Sequence, residues 1–299
     1  MEKRNMYIAV AVVLVIVLAG VAVVSTSGPS MKTFKQKGSD TMLELSSAWA
    51  EQFHQNYSGI GIDISGGGSG VGIQAFSNKQ VDIAQASRAM NTSEKNAAIS
   101  NGVNPVEFKV AIDGIAIVVH PSNTVTNLTA AQLRGIYNGT YTNWNQVGGT
   151  NHPITVFGRQ STSGTYTYFR EKILLNKDYT SQMQQMTGNA AIVEAIKGDA
   201  NAIGYMGIGY AKTSGISVLL LKHNSTAPLF SPLNESAVIQ GKYELSRYLF
   251  LYTNGNPTGD LRTYMAWILD ANKGQKVALE IGFYPLPADV LAQQVAKLG

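Results

Sequence analysis

The sequence predicts an α/β protein of two lobes with largely parallel sheets, and three observations predict it. Its 299 residues are more than one small core organises. Apolar runs of strand character alternate with helical patterns along most of the chain. Two apolar runs, over 110–120 and 243–253, are placed to cross from one lobe to the other and back. The expected division is a short cytoplasmic end over 1–6, an anchor or signal helix over 7–24 and a tether over 25–33. A first lobe over 34–112, a second lobe over 113–247 and a return to the first lobe over 248–299 follow.

The N-terminal expectation rests on Lys3 and Arg4 ahead of an uncharged apolar run. That run is longer than a usual signal-peptide core and close to the ~20 residues that span a bilayer. An uncleaved hydrophobic anchor helix is preferred. Cleavage after the small residues Ser25 or Ser27 is the alternative. Either reading exports the rest of the chain and leaves the basic end inside. Six N-x-S/T sequons, at Asn56, Asn91, Asn127, Asn138, Asn224 and Asn234, agree with export. Charged residues are sparse at 14%, and cysteine is absent. Disulfides, thiolate catalysis and cysteine-ligated zinc are therefore excluded. The net charge of +4 is spread without a Lys/Arg run, which argues against nucleic-acid binding.

Taken in order, Lys35-Gln36-Lys37 leads into Gly38-Ser39-Asp40-Thr41. Met42, Leu45, Trp49 and Phe53 then recur at helical spacing. Thr41 with Glu44 fits a capping box. Ile60, Ile62 and Ile64 alternate as a strand. Gly66-Gly67-Gly68-Ser69-Gly70 follows, and a short helix is expected from Ser69. This loop lacks the Lys-Ser/Thr of a P-loop and the spacing of a dinucleotide fingerprint. A buried strand begins at Val81 and ends in Ala86-Ser87-Arg88. Strand 110–120 is apolar except for Asp113. After a helix over 130–137, the strand 154–157 runs into Gly158-Arg159-Gln160-Ser161-Thr162-Ser163-Gly164-Thr165. Tyr166, Phe169 and Ile173 then place a helix start near Ser163. A helix at 190–196, strands at 202–206 and 217–221, and closing helices at 261–269 and 277–281 complete the pattern.

Three strand-to-helix junctions thus share small hydroxyl residues and glycine, centred on Ser39–Thr41, Ser69–Gly70 and Ser161–Thr165. Helix N-termini present unpaired N–H groups and a positive dipole end. Hydroxyls and an arginine fork add donors suited to a tetrahedral oxyanion. In open α/β sheets such junctions gather at the carboxyl edge of the strands.

In these residues the chain resembles the phosphate-binding proteins (PstS-like) that serve phosphate ABC transporters. Gly38 through Met42 resembles that family's first binding loop and Gly68-Ser69-Gly70 its second. Val81 through Arg88 is similar to the strand and turn that follow. Arg159 through Thr165 resembles its Arg…Ser-Gly-Thr loop. Gly139 through Trp144 with Gly148-Gly149, Ala202 through Tyr205 and Gly282 through Leu286 match as well. The resemblance covers about residues 34–290.

It implies a hinged, two-lobe Venus-flytrap of the periplasmic-binding-protein type II kind with two crossing hinge strands. It also implies capture of inorganic phosphate and delivery to the permease subunits of an ABC transporter. The donors would be Thr41, Met42, Ser69, Arg159, Ser163, Gly164 and Thr165, with Arg159 as the one formal positive charge. Ser39, Asp40, Gly70, Ser87, Arg88 and Ser161 form a second rank. A monomer without metal or cofactor is expected. One departure stands out: some members carry an aspartate where this chain has Arg88, and that carboxylate accepts the hydrogen of protonated phosphate. Asp40 is the candidate replacement; a helix cap or outward-facing acid is its other reading. A receptor for molybdate, tungstate or sulfate, a serine-dependent phosphoryl hydrolase and an adhesive glycoprotein are the alternatives. The hydrolase needs a base beside its nucleophile, and His54, His120, His152 and His223 lie away from the three loops.

Overall fold

The computed structural model describes residues 31–213 and 215–299. The expected anchor over 7–24 lies outside the described residues, among which no helix is long and apolar enough to cross a membrane. The strands are β1 (Lys32–Gly38), β2 (Ile60–Ser65), β3 (Ile83–Ala86), β4 (Pro105–Val119), β5 (Asn127–Thr129) and β6 (Thr155–Arg159). β7 (Gln184–Met186), β8 (Ala202–Gly207), β9 (Ser217–Val218), β10 (Leu220–Lys222) and β11 (Ser246–Asn254) follow.

One long strand, β4, links the two parts of the sheet. β4 pairs with β11 along its first part, from Pro105 to Gly114, and with β8 along its last, from Ile115 to Val119. A sheet of order β2-β1-β3-β11-β4-β8-β6-β7 results, with β9 also on β4. One half holds β1, β2 and β3; the other holds β6, β7 and β8; β4 and β11 run between them. The apolar 110–119 stretch reads as it does because it is buried on both faces.

The sheets are mixed, where largely parallel ones were expected. β1 with β2 and β3, and β6 with β7 and β8, are parallel. β11 is antiparallel to β3 and β4, and β4 to β8 and β9. The chain leaves the first half along β4 and returns along β11, so the two crossing strands must oppose each other. The expected single strand at 217–221 is two short ones, because β9 pairs with β4 while β10 pairs with β5. The capping box of Thr41 and Glu44 does not form: no side-chain cap bond is made at the start of that helix. The Thr41 hydroxyl goes to the other half of the molecule instead.

Helices cover the sheet as the spacing predicts. Leu45, Trp49 and Phe53 are buried on the helix Leu43–Asn56. There Trp49 Nε1 donates to the Gly274 carbonyl at 2.7 Å, tying the C-terminal helices to the first half.

Candidate oxyanion site

All three junctions lie at carboxyl ends of strands. β1 ends at Gly38 and enters a 3-10 turn at Asp40–Met42; β2 ends at Ser65 and the helix Ser69–Ser77 begins after the glycines. β6 ends at Arg159, and the helix Gly164–Lys172 starts after its cap Ser163. Because β1 and β2 sit in one half of the sheet and β6 in the other, the junctions face each other.

They touch. Thr41 Oγ1 and Thr165 Oγ1 are 2.8 Å apart. The Gly70 amide donates to the Thr162 carbonyl at 3.1 Å. Gly68, at φ +95°, takes a backbone shape that favours glycine, and a Cβ there would lie 2.5 Å from the Thr162 carbonyl oxygen. A Cβ on Gly164 would strike Ser69 Oγ and come within 2.7 Å of Ser87 Oγ.

The hydroxyls are posed as donors. Ser163 Oγ accepts from the amides of Thr165 at 3.1 Å and Tyr166 at 3.4 Å, which leaves its proton to give. Ser69 Oγ accepts from the Ser87 amide at 3.0 Å and lies 3.3 Å from Ser87 Oγ. The helix behind Ser163 adds first-turn amides, Gly164 among them, and its dipole.

Arg159 is fully buried at the floor of this cluster. Its Nη1 donates to Asn189 Oδ1 at 2.8 Å and its Nη2 to Asp40 Oδ2 at 2.9 Å. Its backbone N–H donates to Tyr205 Oη at 3.1 Å. Its Nε is buried and has no partner among the described residues. Burial lowers the guanidinium below its ordinary value; Asp40 opposes that and nearby Arg247 adds to it. Asp40 is neither a cap nor an outward acid. Its Oδ1 accepts from the Gly67 amide at 2.8 Å, so it joins the glycine loop to Arg159.

Sequence reasoning missed Arg247, Asp113 and Asn189. Arg247 on β11 stands opposite Asp113 on β4 in the sheet register. Its Nε and Nη2 donate to Asp113 Oδ2 at 2.9 and 2.7 Å, and Nη2 also reaches Thr165 Oγ1 at 2.8 Å. Asp113 Oδ1 accepts from the Ile208 amide at 2.8 Å. A second guanidinium therefore touches the cluster, where one was expected. The lone acid inside an apolar strand was its signal: a buried carboxylate requires a counter-ion.

Other expected members are placed differently. Ser161 is exposed on the loop. Arg88 turns to Glu94, with Nη2 and Nη1 donating to its carboxylate at 2.6 and 2.7 Å. The Met42 amide donates to the Ser39 carbonyl at 3.1 Å within the 3-10 turn. Ser39 is buried, and its carbonyl also accepts from Gln85 Nε2 at 3.0 Å.

A mixed sheet crossed by paired strands, with strand-end loops converging on a buried hydroxyl and guanidinium cluster, defines a binding protein of the PBP type. Residues 23–272 match the PBP superfamily domain. The phosphate-binding protein PstS of Pseudomonas aeruginosa is 34% identical over 278 residues, covering 88% of this chain and 85% of that protein. With that likeness, the chain belongs to the PstS family of phosphate-binding proteins. Protein SphX of Synechococcus elongatus is 32% identical, over 84% of this chain and 77% of its own length. A phosphate ABC transporter substrate-binding protein from Clostridium perfringens, solved with phosphate bound, superposes with a TM-score of 0.76 at 27% identity. That match covers 86% of this chain and all of the other. An ABC-type phosphate transport receptor from Vibrio cholerae gives 0.67 at 27% identity, over 85% of this chain and 100% of its own.

Proposed function

We propose that this chain captures inorganic phosphate between two lobes and delivers it to the permease of an ABC transporter. The observation that carries the reading is the meeting of Thr41, Ser69 and Asp40 from one half with Thr165, Gly164 and Arg159 from the other, beside the cap Ser163. Ser163, Arg159 Nε and whichever of Thr41 and Thr165 accepts in their shared bond each have a proton to give. A tetrahedral oxyanion inserted among them accepts from both halves at once. The Gly164 backbone and the Ser87 hydroxyl lie beside Ser69 in the same cluster, and the Met42 amide, now held by the Ser39 carbonyl, is proposed to turn to the ligand. Arg159 Nε, buried without an acceptor, is aimed by its other bonds and supplies a charge-assisted donor.

The mechanism is a population shift. The ligand bridges both halves and stabilises the closed arrangement. Micromolar capture corresponds to about −8 kcal/mol, within reach of dipolar bonds plus guanidinium in a dry site. In this reading the lobes are 34–112 and 113–247 with a return over 248–299, and β4 and β11 serve as the hinge. The chain acts as a monomer on the outer face of the membrane, held there by the apolar run over 7–24. It carries out no catalysis. The PstS relatives support phosphate over other oxyanions.

Parallel calorimetric titrations with phosphate, sulfate and molybdate test the reading. Phosphate should bind one to one and at least about tenfold more tightly than the others. Equal or preferential binding of sulfate or molybdate would assign the cradle to another oxyanion.

A further inference from the structure

Six asparagines head N-x-S/T sequons, and none of them takes part in the cradle: Asn56, Asn91, Asn127, Asn138, Asn224 and Asn234. A glycan acceptor has to sit on an exposed turn. Its carboxamide nitrogen has to be free to react, and the hydroxyl two residues on has to reach the same side chain.

Four of the six do not offer this. Asn56 ends the helix Leu43–Asn56, and its Nδ2 donates back to the Gln52 carbonyl at 3.3 Å. Asn127 is half-buried in β5, and its Nδ2 donates to Thr126 Oγ1 at 3.2 Å. Asn91 and Asn234 cap the helices Thr92–Ser100 and Glu235–Ile239 through Oδ1, so Ser93 and Ser236 are fixed in a first helical turn. Ser236 Oγ is also taken, by Gln240 Nε2 at 2.8 Å.

Asn224 and Asn138 offer it, and both are exposed. Asn224 stands at the tip of a hairpin that Leu221 and Phe230 close with backbone bonds of 2.9 and 2.8 Å. Its Oδ1 accepts from the Thr226 and Ala227 amides at 3.0 and 2.9 Å, and from the Thr226 hydroxyl at 2.9 Å. The sequon's own threonine therefore already grips the acceptor side chain, and every one of these bonds falls on its oxygen. Asn138 follows the helix Ala130–Tyr137, in a turn where Gly139 has φ +83°. Its Oδ1 accepts from the Thr140 amide at 3.0 Å, a local turn that asparagine favours. In both cases Nδ2, which carries two N–H groups, has no partner among the described residues.

We propose that Asn138 and Asn224 are N-glycosylation sites. The donor is an oligosaccharide joined at its anomeric carbon, through phosphate, to a membrane lipid. Asn Nδ2 forms a bond to that carbon while the bond from the carbon to the phosphate oxygen breaks. The electron pair of the broken bond leaves with the lipid phosphate, and one amide proton passes to a base of the transferase. The product carries a bulky, solubilising group on the surface. The inference rests on the export reading of the apolar run over 7–24 and is independent of the ligand in the cradle.

The test is peptide mapping of the full chain recovered from the membranes of the organism that makes it. Tryptic fragments 135–159 and 223–242 should carry glycan mass, placed by fragmentation on Asn138 and on Asn224 rather than Asn234. Thr226→Ala should strip the mass from Asn224 and leave Asn138 modified, and Thr226→Ser should restore it. Both variants change an exposed side chain and should keep phosphate affinity within about twofold. The proposal is overturned if either asparagine is bare, or if Thr226→Ala keeps its Asn224 glycan. It is overturned equally if Asn56, Asn91, Asn127 or Asn234 is modified to the same extent. Trypsin added to intact cells reports the side of the membrane on which the chain lies. Bare asparagines on a chain cleaved from outside sink this proposal alone, whereas bare asparagines on a chain protected inside sink the export reading with it.

Discussion

Asp40 and Arg159, 119 positions apart in the chain, meet at 2.9 Å across the two halves of the sheet. The guanidinium has no exposure and the carboxylate side chain 12%. Arg159 is thus held charged before any ligand arrives, and Asp40 is its counter-ion. Asp40→Asn removes that charge and leaves a buried cation uncompensated, which costs about 2–3 kcal/mol. The ligand-free protein should melt about 5 °C lower. Bound phosphate takes over as counter-ion, so the phosphate-induced rise in Tm should be larger in the variant. The carboxylate is turned to Gly67 and Arg159, one bond to each oxygen, and serves as the counter-ion of the guanidinium. Sulfate should therefore compete no better against Asp40→Asn than against the wild type, as competition calorimetry reads directly. Improved sulfate competition would restore Asp40 as the acceptor of the phosphate proton.

Gly164→Ala separates closure from folding. Alanine is the better helix former, so a substitution at the first residue of this helix costs nothing locally. Its methyl, however, would occupy the place of Ser69 Oγ on the opposing half. We expect the variant to fold, with a melting temperature lowered without ligand because the halves can no longer meet at this junction. Phosphate affinity should fall by about a hundredfold or more. Small-angle scattering should record no compaction on phosphate addition. A variant that binds normally would mean that Gly164 does not face Ser69 in the bound state.

The three loops were legible because strand-to-helix junctions rich in Ser, Thr and Gly are local patterns. Ser69 and Ser163 start their helices where the spacing places them. The crossing strands were legible too, since residues buried on both faces must be apolar. What stayed hidden is pairwise. Nothing near Thr41 in sequence says that its hydroxyl passes over Glu44 to meet Thr165, 124 positions away. Nothing near Arg247 names Asp113, because a cross-strand register is fixed only when the sheet forms. Arg88 misled for the same reason: its partner Glu94 is held by a separate capping box with Asn91.

Arg247 and Asp113 form a pair whose parts are worth less alone than together. Arg247→Gln strands a carboxylate with no exposure, a cost of about 3–5 kcal/mol. Asp113→Asn strands the guanidinium similarly. The double variant should recover much of either loss, with a coupling energy of about 1–3 kcal/mol in denaturant unfolding. Phosphate affinity should fall in every variant lacking Arg247, since Nη2 also holds Thr165 Oγ1. Additive losses would mean that the two side chains act independently.

Tyr205 gives the site an alkaline limit. Its hydroxyl accepts from the Arg159 amide and lies 3.1 Å from the hydroxyl of Tyr179. Burial pushes Tyr205 up to about 12. Its unfolded value is near 10. Below pH 10 both states keep the proton and stability is level. Between pH 10 and 12 the unfolded chain releases it first, so stability falls with rising pH by about 1.4 kcal/mol per unit for this group. Buried Tyr137, Tyr243 and Tyr264 are raised as well and steepen the decline. Tyr205→Phe keeps the ring stacked on Phe169, whose centroid is 4.3 Å away, but removes the titrating group. Urea unfolding from pH 9 to 12 should show a slope shallower by about one proton in the variant. It should also show weaker phosphate binding at pH 8, because the Arg159 backbone loses its acceptor. An identical slope in both proteins would mean that Tyr205 ionises as freely in the folded state as in the unfolded one.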